Sequence, residues 1–267
     1  MMPESSREGF GPLESRLRQL RAAGRKALVP YVTGQISDDW TDCLAAYVQA
    51  GADAIEVGLP FSDPTLDGAT IQEASDRALM RGARVTGILE DLAGSHPGVP
   101  LVAMTYYNLV VNHGARTFCA MLHDGGISGL IVPDVPIDEV DELEGSAREA
   151  GIELVLLASP ASPVERLREI GQRSRGFVYA VSLMGTTGER SELAQSALHL
   201  ATAVKAVTDR PVLLGFGISG PEHAVEATRQ ADGVVIASAL MRMYLDGAPM
   251  AEIGTRVKAI RAALDGS

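Results

Sequence analysis

Positive charge, cysteine and long apolar runs are all scarce in this 267-residue chain, and each scarcity removes a class of function. Lys and Arg total 23 against 34 Asp and Glu, a net charge of −11, so the basic stripe that a nucleic-acid footprint needs is missing. The two cysteines, Cys43 and Cys119, have no C-x-x-C spacing and lie in helical contexts. They are expected as reduced, semi-buried thiols rather than a disulfide or a metal pair. No apolar run approaches the ~20 residues of a membrane span. Met1–Gly11 is polar with no apolar h-region, so no signal peptide is expected and a cytoplasmic protein is the default. His96, His113, His123, His199 and His223 share no ligand spacing. There is no Ser-His-Asp set and no nucleophile elbow. The first strand runs into Val-Thr-Gly-Gln-Ile-Ser, not a G-x-G-x-x-G turn. Metal, covalent-nucleophile and dinucleotide chemistry therefore have little support.

What is present is a hydrophobic content of 46% arranged in a repeating order. Short β-branched runs at Ala27–Thr33, Ala54–Gly58, Leu101–Met104, Gly129–Val132, Glu153–Leu157, Phe177–Ser182, Val212–Phe216 and Gly233–Ala237 read as strands. Helical patterns fall between and after them, at Trp40–Ala50, Thr70–Arg81, Ala115–Asp124, Ile137–Ala150, Val164–Gln172, Ala194–Val207, Pro221–Gln230 and Met250–Leu264. Strand-then-helix units without a long linker predict an α/β fold, a (β/α)8 TIM barrel, as one domain over residues 13–267 behind a flexible tail, 1–12. A doubly wound open sheet is the alternative, and it would want a glycine-rich turn after the first strand.

A barrel places its chemistry at the C-terminal ends of its strands. Glu56 lies inside an apolar strand, and Asp67 follows in the loop Leu59-Pro-Phe-Ser-Asp-Pro-Thr-Leu-Asp-Gly68. Period-two alternation puts Glu56 on one face with Ala54 and Gly58, which leaves room for a small molecule. A buried carboxylate without a partner is costly, so catalysis or a basic partner must justify Glu56. One buried carboxyl of raised pKa beside a better-solvated one suits general acid–base work. Asp67 also reads as an ordinary turn residue, as does Asp63. Asp134, Tyr179, Gly217 and Ser238 fall at the same rim.

Three glycine-rich turns follow adjacent strands: Gly185-Thr-Thr-Gly188, Gly215-Phe-Gly217-Ile-Ser219 and Ile236-Ala-Ser238. Backbone N–H groups there can bind a phosphate without a basic patch. They can equally be tight turns needing positive φ. The loop Met184–Leu193 has the length and composition of a lid. A cofactor-free acid–base reaction on a small phosphorylated molecule is the furthest this reading reaches.

The block from Glu56 to Gln72, Glu-Val-Gly-Leu-Pro-Phe-Ser-Asp-Pro-Thr-Leu-Asp-Gly-Ala-Thr-Ile-Gln, closely resembles the signature of the tryptophan synthase α subunit family. Val29-Pro-Tyr-Val-Thr33, Thr105-Tyr-Tyr-Asn-Leu109, Leu130-Ile-Val-Pro-Asp134 and Gly176-Phe-Val-Tyr179 extend the likeness from about Leu13 to Leu264. The resemblance implies retro-aldol cleavage of indole-3-glycerol phosphate to indole and glyceraldehyde 3-phosphate. It implies Glu56 as the acid–base residue and Asp67 as the carboxylate facing the indole N–H. Tyr31, Tyr106, Leu157 and Phe216 would wall the indole pocket, with Tyr179 lining the site and Thr187 contacting Asp67 on closure. Gly188, Gly217, Ala237 and Ser238 would hold the phosphate. Asp63, Pro64 and Asn108 match positions near a partner β subunit in an α2β2 assembly. That partner, not this chain, would carry PLP; no cofactor or metal is expected here. A stand-alone lyase releasing indole, or a weak homologue that mainly activates a β subunit, are the other readings. Two departures stand out. Ala237 replaces the family's usual glycine, and Thr33-Gly-Gln-Ile-Ser37 replaces a Gly-Asp-Pro turn and is about two residues shorter.

Overall fold

Among the described residues, eight parallel strands close into a barrel in chain order, the last returning to pair with the first. The computed structural model describes residues 9–181, 190–215 and 217–266. The strands are β1 (Ala27–Thr33), β2 (Ile55–Gly58), β3 (Leu101–Met104), β4 (Gly129–Ile131), β5 (Glu153–Ala158), β6 (Val178–Ala180), β7 (Val212–Leu214) and β8 (Gly233–Ile236). The helices are α1 (Pro12–Ala22), α2 (Asp42–Gln49), α3 (Ala69–Met80), α4 (Val85–Ser95), α5 (Tyr107–His113), α6 (Ala115–Asp124), α7 (Asp141–Ala150), α8 (Val164–Arg173), α9 (Arg190–Lys205), α10 (Pro221–Thr228), α11 (Ser238–Leu245) and α12 (Met250–Asp265). No helix among the described residues is long and apolar enough to cross a membrane.

All eight strand positions agree with the sequence reading, though six of the strands differ from it at one or both ends by a residue or two. Four helices were not anticipated: α1, α4, α5 and α11. Each lies outside the plain strand–helix alternation, doubling up with a neighbouring helix or preceding the first strand. The single helix expected over Ile137–Ala150 is instead a 3-10 turn, Ile137–Glu139, and then α7. The helix expected from Ala194 starts at Arg190, so residues 190–193 of the lid loop are helical. The rest of that loop that was expected as a lid, 184–189, lies outside the described residues.

Alternation divides the side chains into two cores. Ala27, Val29, Ala54, Val102, Ile131, Val155, Tyr179, Leu213 and Val235 face the barrel axis, and the alternate residues pack under the helices. The lower end is closed by α1, whose Leu13, Leu17 and Leu20 lie on one helical stripe and join the inner core. Glu153 at the start of β5 fixes this plug. Its carboxylate accepts from Leu13 N–H at 2.7 Å and Glu14 N–H at 2.9 Å, satisfying two free donors of the helix start. Gly11 lies so close that a Cβ there would be 2.4 Å from the Glu153 side chain. Cys43 and Cys119 are free thiols, both fully buried rather than semi-buried.

Candidate active site

The carboxyl pair expected to do the chemistry lies at the upper end of the barrel. Glu56 projects inward from β2, in register with Tyr31 of β1 and Val102 of β3, and is 2% exposed. Its Oε2 is buried without a hydrogen-bond partner among the described residues. Burial pushes its pKa up to about 8, and the neighbouring Asp67 adds to the rise. Asp67 lies in the loop joining β2 to α3 and is half-buried. Burial raises its pKa to about 6 against the opposing effect of Tyr106, whose hydroxyl donates to Asp67 Oδ2 at 3.1 Å. Gln72 Nε2 donates to the Asp67 carbonyl at 2.8 Å and to that of Pro64 at 3.4 Å, clamping the loop from α3. Near neutrality Glu56 therefore carries its proton while Asp67 is ionised. The site holds an acid and an anion built from the same chemical group, separated by environment.

Tyrosines wall this pair. The hydroxyl of Tyr31 lies over Gly58, where a Cβ would come within 1.9 Å of it. This corrects the expectation that Gly58 leaves open space beside Glu56: the missing side chain makes room for Tyr31. The Tyr31 hydroxyl accepts from Thr33 Oγ1 at 3.2 Å. Gly215 plays the same part for Tyr179, whose ring and hydroxyl come within 2.1 Å of an added Cβ. Tyr179 meets Phe177 edge-on at 5.7 Å and pairs in register with half-buried Leu157. Tyr106 stacks on Phe61 with 5.3 Å between centroids. Together with Met104, Pro64 and Asp67, Tyr31 and Tyr106 enclose a space of only about 10 Å³, room for a water. A larger groove of about 450 Å³ runs between α2 and α12. It is lined by Ala45, Ala46, Ala251 and Gly254 and shares no residue with the carboxylates, so chemistry assigns the site to the barrel mouth.

The turns expected to hold a phosphate divide in the same way. Gly217 has φ +70°, the left-handed region that glycine tolerates. Ala237 has φ −114° and ψ −77° and is the N-cap of α11, so its methyl group is not strained. Its carbonyl accepts the N–H groups of Leu240 and Met241 at 3.1 and 3.0 Å, and Ser238 is exposed at the helix start. Thr187, Gly188 and Phe216 lie outside the described residues. The residues expected near a partner split: Asp63 and Asn108 are exposed, whereas Pro64 is buried. Leu66 and Val111, beside them in the chain, are 55% and 58% exposed. Asp134, one of the rim residues, accepts from Tyr107 N–H at 2.8 Å at the start of α5. The loop after β1 is tied to α4. Gln35 donates to Asp91 at 3.1 Å and accepts from Arg84 N–H at 3.1 Å, although its φ is +55°. Sequence reasoning missed Gln72, Phe61 and Met104 at the site. Gln72 and Phe61 lie in the signature block, but no spacing rule ties an amide in a helix to a carbonyl in the preceding loop.

Residues 17–261 match the family model described as the tryptophan synthase alpha chain. The tryptophan synthase alpha chain of Gloeobacter violaceus is 42% identical over 240 residues, covering 88% of this chain and 87% of that one. That of Microcystis aeruginosa is 40% identical over 237 residues, covering 87% and 90%. Among solved structures, tryptophan synthase from M. tuberculosis in its aminoacrylate- and BRD0059-bound form superposes with a TM-score of 0.86. It is 34% identical to this chain and is covered to 99%, with 96% of this chain aligned. With a family-model match over most of its length, a closed eight-stranded barrel and a carboxylate pair at the mouth, this chain belongs to the tryptophan synthase alpha chain family, lyases that cleave indole-3-glycerol phosphate.

Proposed function

We propose that Glu56 and Asp67 drive a retro-aldol cleavage in which Glu56 moves the proton and Asp67 supports the ring nitrogen. The observation that carries this reading is the buried Glu56, whose Oε2 has no partner among the described residues and whose pKa is pushed up to about 8, at one rim with Asp67, whose pKa rises only to about 6. The Glu56 carboxyl gives its proton to indole C3, and positive charge develops at the ring nitrogen. The Asp67 carboxylate stabilises that charge through the indole N–H. The Glu56 carboxylate then takes the proton of the side-chain hydroxyl. The carbon–oxygen bond becomes a carbonyl, the carbon–carbon bond breaks, and its electron pair returns to the ring. Indole and glyceraldehyde 3-phosphate leave, and Glu56 is protonated again. The cycle closes on one carboxyl group.

Binding energy from the phosphate, at Gly217 and the start of α11 with Ala237 and Ser238, orients the scissile bond without taking part in its cleavage. Gly188 would add to that cradle and Thr187 would meet Asp67. Tyr31, Tyr106, Leu157, Tyr179 and Phe216 would pack the indole. The M. tuberculosis neighbours are structures of tryptophan synthase. This supports a β subunit as partner, docking on the face of Asp63, Asn108 and the exposed Leu66 and Val111, and receiving the indole. PLP would belong to that partner. The test is indole formation from indole-3-glycerol phosphate by the purified chain, with and without a tryptophan synthase β subunit. A slow basal rate that rises sharply on adding the β subunit supports the reading. Fast indole release that the β subunit leaves unchanged overturns the partner assignment, and no cleavage in either setting overturns the activity.

A further inference from the structure

Tyr106 makes more contacts with the catalytic loop than a pocket wall requires. It is buried, and its hydroxyl is fully engaged. The oxygen accepts from Leu66 N–H at 3.0 Å and its hydrogen goes to Asp67 Oδ2 at 3.1 Å. The ring stacks on Phe61 with 25° between planes. One side chain thus holds the β2–α3 loop at three residues, Phe61, Leu66 and Asp67. The backbone behind it is fixed as well. Tyr106 is the N-cap of α5, its carbonyl accepts Leu109 N–H at 3.0 Å, and the next N–H, of Tyr107, goes to Asp134.

The groups facing Asp67 make this contact decisive. Glu56 approaches from β2, Tyr31 from β1 and Tyr179 from β6, with Asp134 beyond Tyr106. None of them is a cation. The Tyr106 hydroxyl is the donor that offsets the burial of the Asp67 carboxylate.

We infer that Tyr106 is a positioning residue for the cleavage, aiming the Asp67 carboxylate and tying its loop to the corner between β3 and α5. The inference rests on the proposed role of Asp67. It gives Tyr106 a task distinct from walling the indole: the ring is the wall, and the hydroxyl sets the anion.

Tyr106→Phe keeps the ring and its stack on Phe61 and removes only the hydroxyl. In the indole-forming assay it is expected to lower kcat about tenfold while KM changes less than about threefold. The acid limb of its kcat/KM–pH profile is expected to move upward from the wild-type position, because the carboxylate has lost its donor. Circular dichroism and a urea midpoint measured alongside report the fold. In the Asp67→Asn background, adding Tyr106→Phe is expected to cost nothing further, since the hydroxyl acts through that carboxylate. A Tyr106→Phe variant with wild-type kcat and an unmoved acid limb overturns the inference, and so do fully multiplicative effects in the double variant. Asp67→Asn alone separates the two levels. If it cleaves at full rate, the role of Asp67 falls and the inference falls with it. If it is slow while Tyr106→Phe is unaffected, only the inference falls.

Discussion

Replacing Glu56 by glutamine should stabilise the fold, and by an amount that grows with pH. Glu56 is 2% exposed, its Oε2 has no partner among the described residues, and its pKa rises from 4.5 to about 8 on folding. A raised carboxyl pKa means that the folded state binds the proton more tightly than the unfolded chain. Stability is therefore full at low pH and falls as pH rises from the unfolded value through the folded one. Taking 1.36 kcal/mol per unit, the charge costs under about 1 kcal/mol near pH 5, about 3 kcal/mol near pH 7, and approaches a limit of about 5 kcal/mol above pH 9. Glutamine has nearly the same shape and never ionises, so it escapes this cost. Asp67, with its pKa raised to about 6, adds pH dependence of the same sign at lower pH in both proteins, so it largely cancels in the comparison. Urea unfolding at about pH 5 and pH 9 reads the difference. The gap in stability between variant and wild type should widen by about 4 kcal/mol, a midpoint change of roughly 1 M or more for urea slopes of a few kcal/mol/M. A gap that stays constant between the two pH values within about 1 kcal/mol would refute the claim that Glu56 is buried without charge compensation.

Further expectations follow from the same geometry. The kcat/KM profile for indole-3-glycerol phosphate should be bell-shaped, with an acid limb near pH 6 where Asp67 takes up a proton and an alkaline limb near pH 8 where Glu56 loses one; a rate flat from pH 5 to pH 9 would contradict it. Gly58→Ala should displace the Tyr31 hydroxyl, costing about 1–3 kcal/mol in unfolding free energy and part of the activity; an unchanged melt and rate would show that Tyr31 does not sit there. Ala237→Gly should change the substrate KM by less than about threefold, because the alanine already has an ordinary φ at the N-cap of α11. A large fall in KM would mean that the methyl crowds the phosphate. Glu153→Ala should free the start of α1 and cost about 1–3 kcal/mol, read by thermal unfolding with activity per folded molecule retained.

The sequence made the barrel legible because strand and helix alternate in period as well as in order. The runs from Ala27 to Thr33 and from Leu101 to Met104 are strands over the same residues in the structure. The additional helices were harder to read. Tyr107–His113 is only seven residues long, and Ser238–Leu245 starts immediately beyond the end of β8, with no linker to announce it. At the site, Glu56 stood out because an acid in an apolar strand is costly, and Asp67 because it closed a distinctive loop. The environment of each was not legible. That Gly58 and Gly215 serve Tyr31 and Tyr179 rather than a ligand depends on contacts between strands. That the Tyr106 hydroxyl is taken by Asp67 joins residues 39 apart in the chain through a loop whose path no local pattern specifies. Glu153 shows the same limit from the other end of the barrel: an acid at the start of a strand, it caps a helix 140 residues away, a partner that no local pattern specifies.

The proposed cleavage turns on one proton, carried by Glu56. The direct measurement is the rate of indole formation from indole-3-glycerol phosphate by the wild-type chain and by Glu56→Gln, near pH 7, with the folded fraction of both checked by urea titration. Wild type is expected to form indole and glyceraldehyde 3-phosphate in equal amounts, and a folded Glu56→Gln to be slower by about 10²-fold or more. A folded Glu56→Gln that makes indole at the wild-type rate would contradict it.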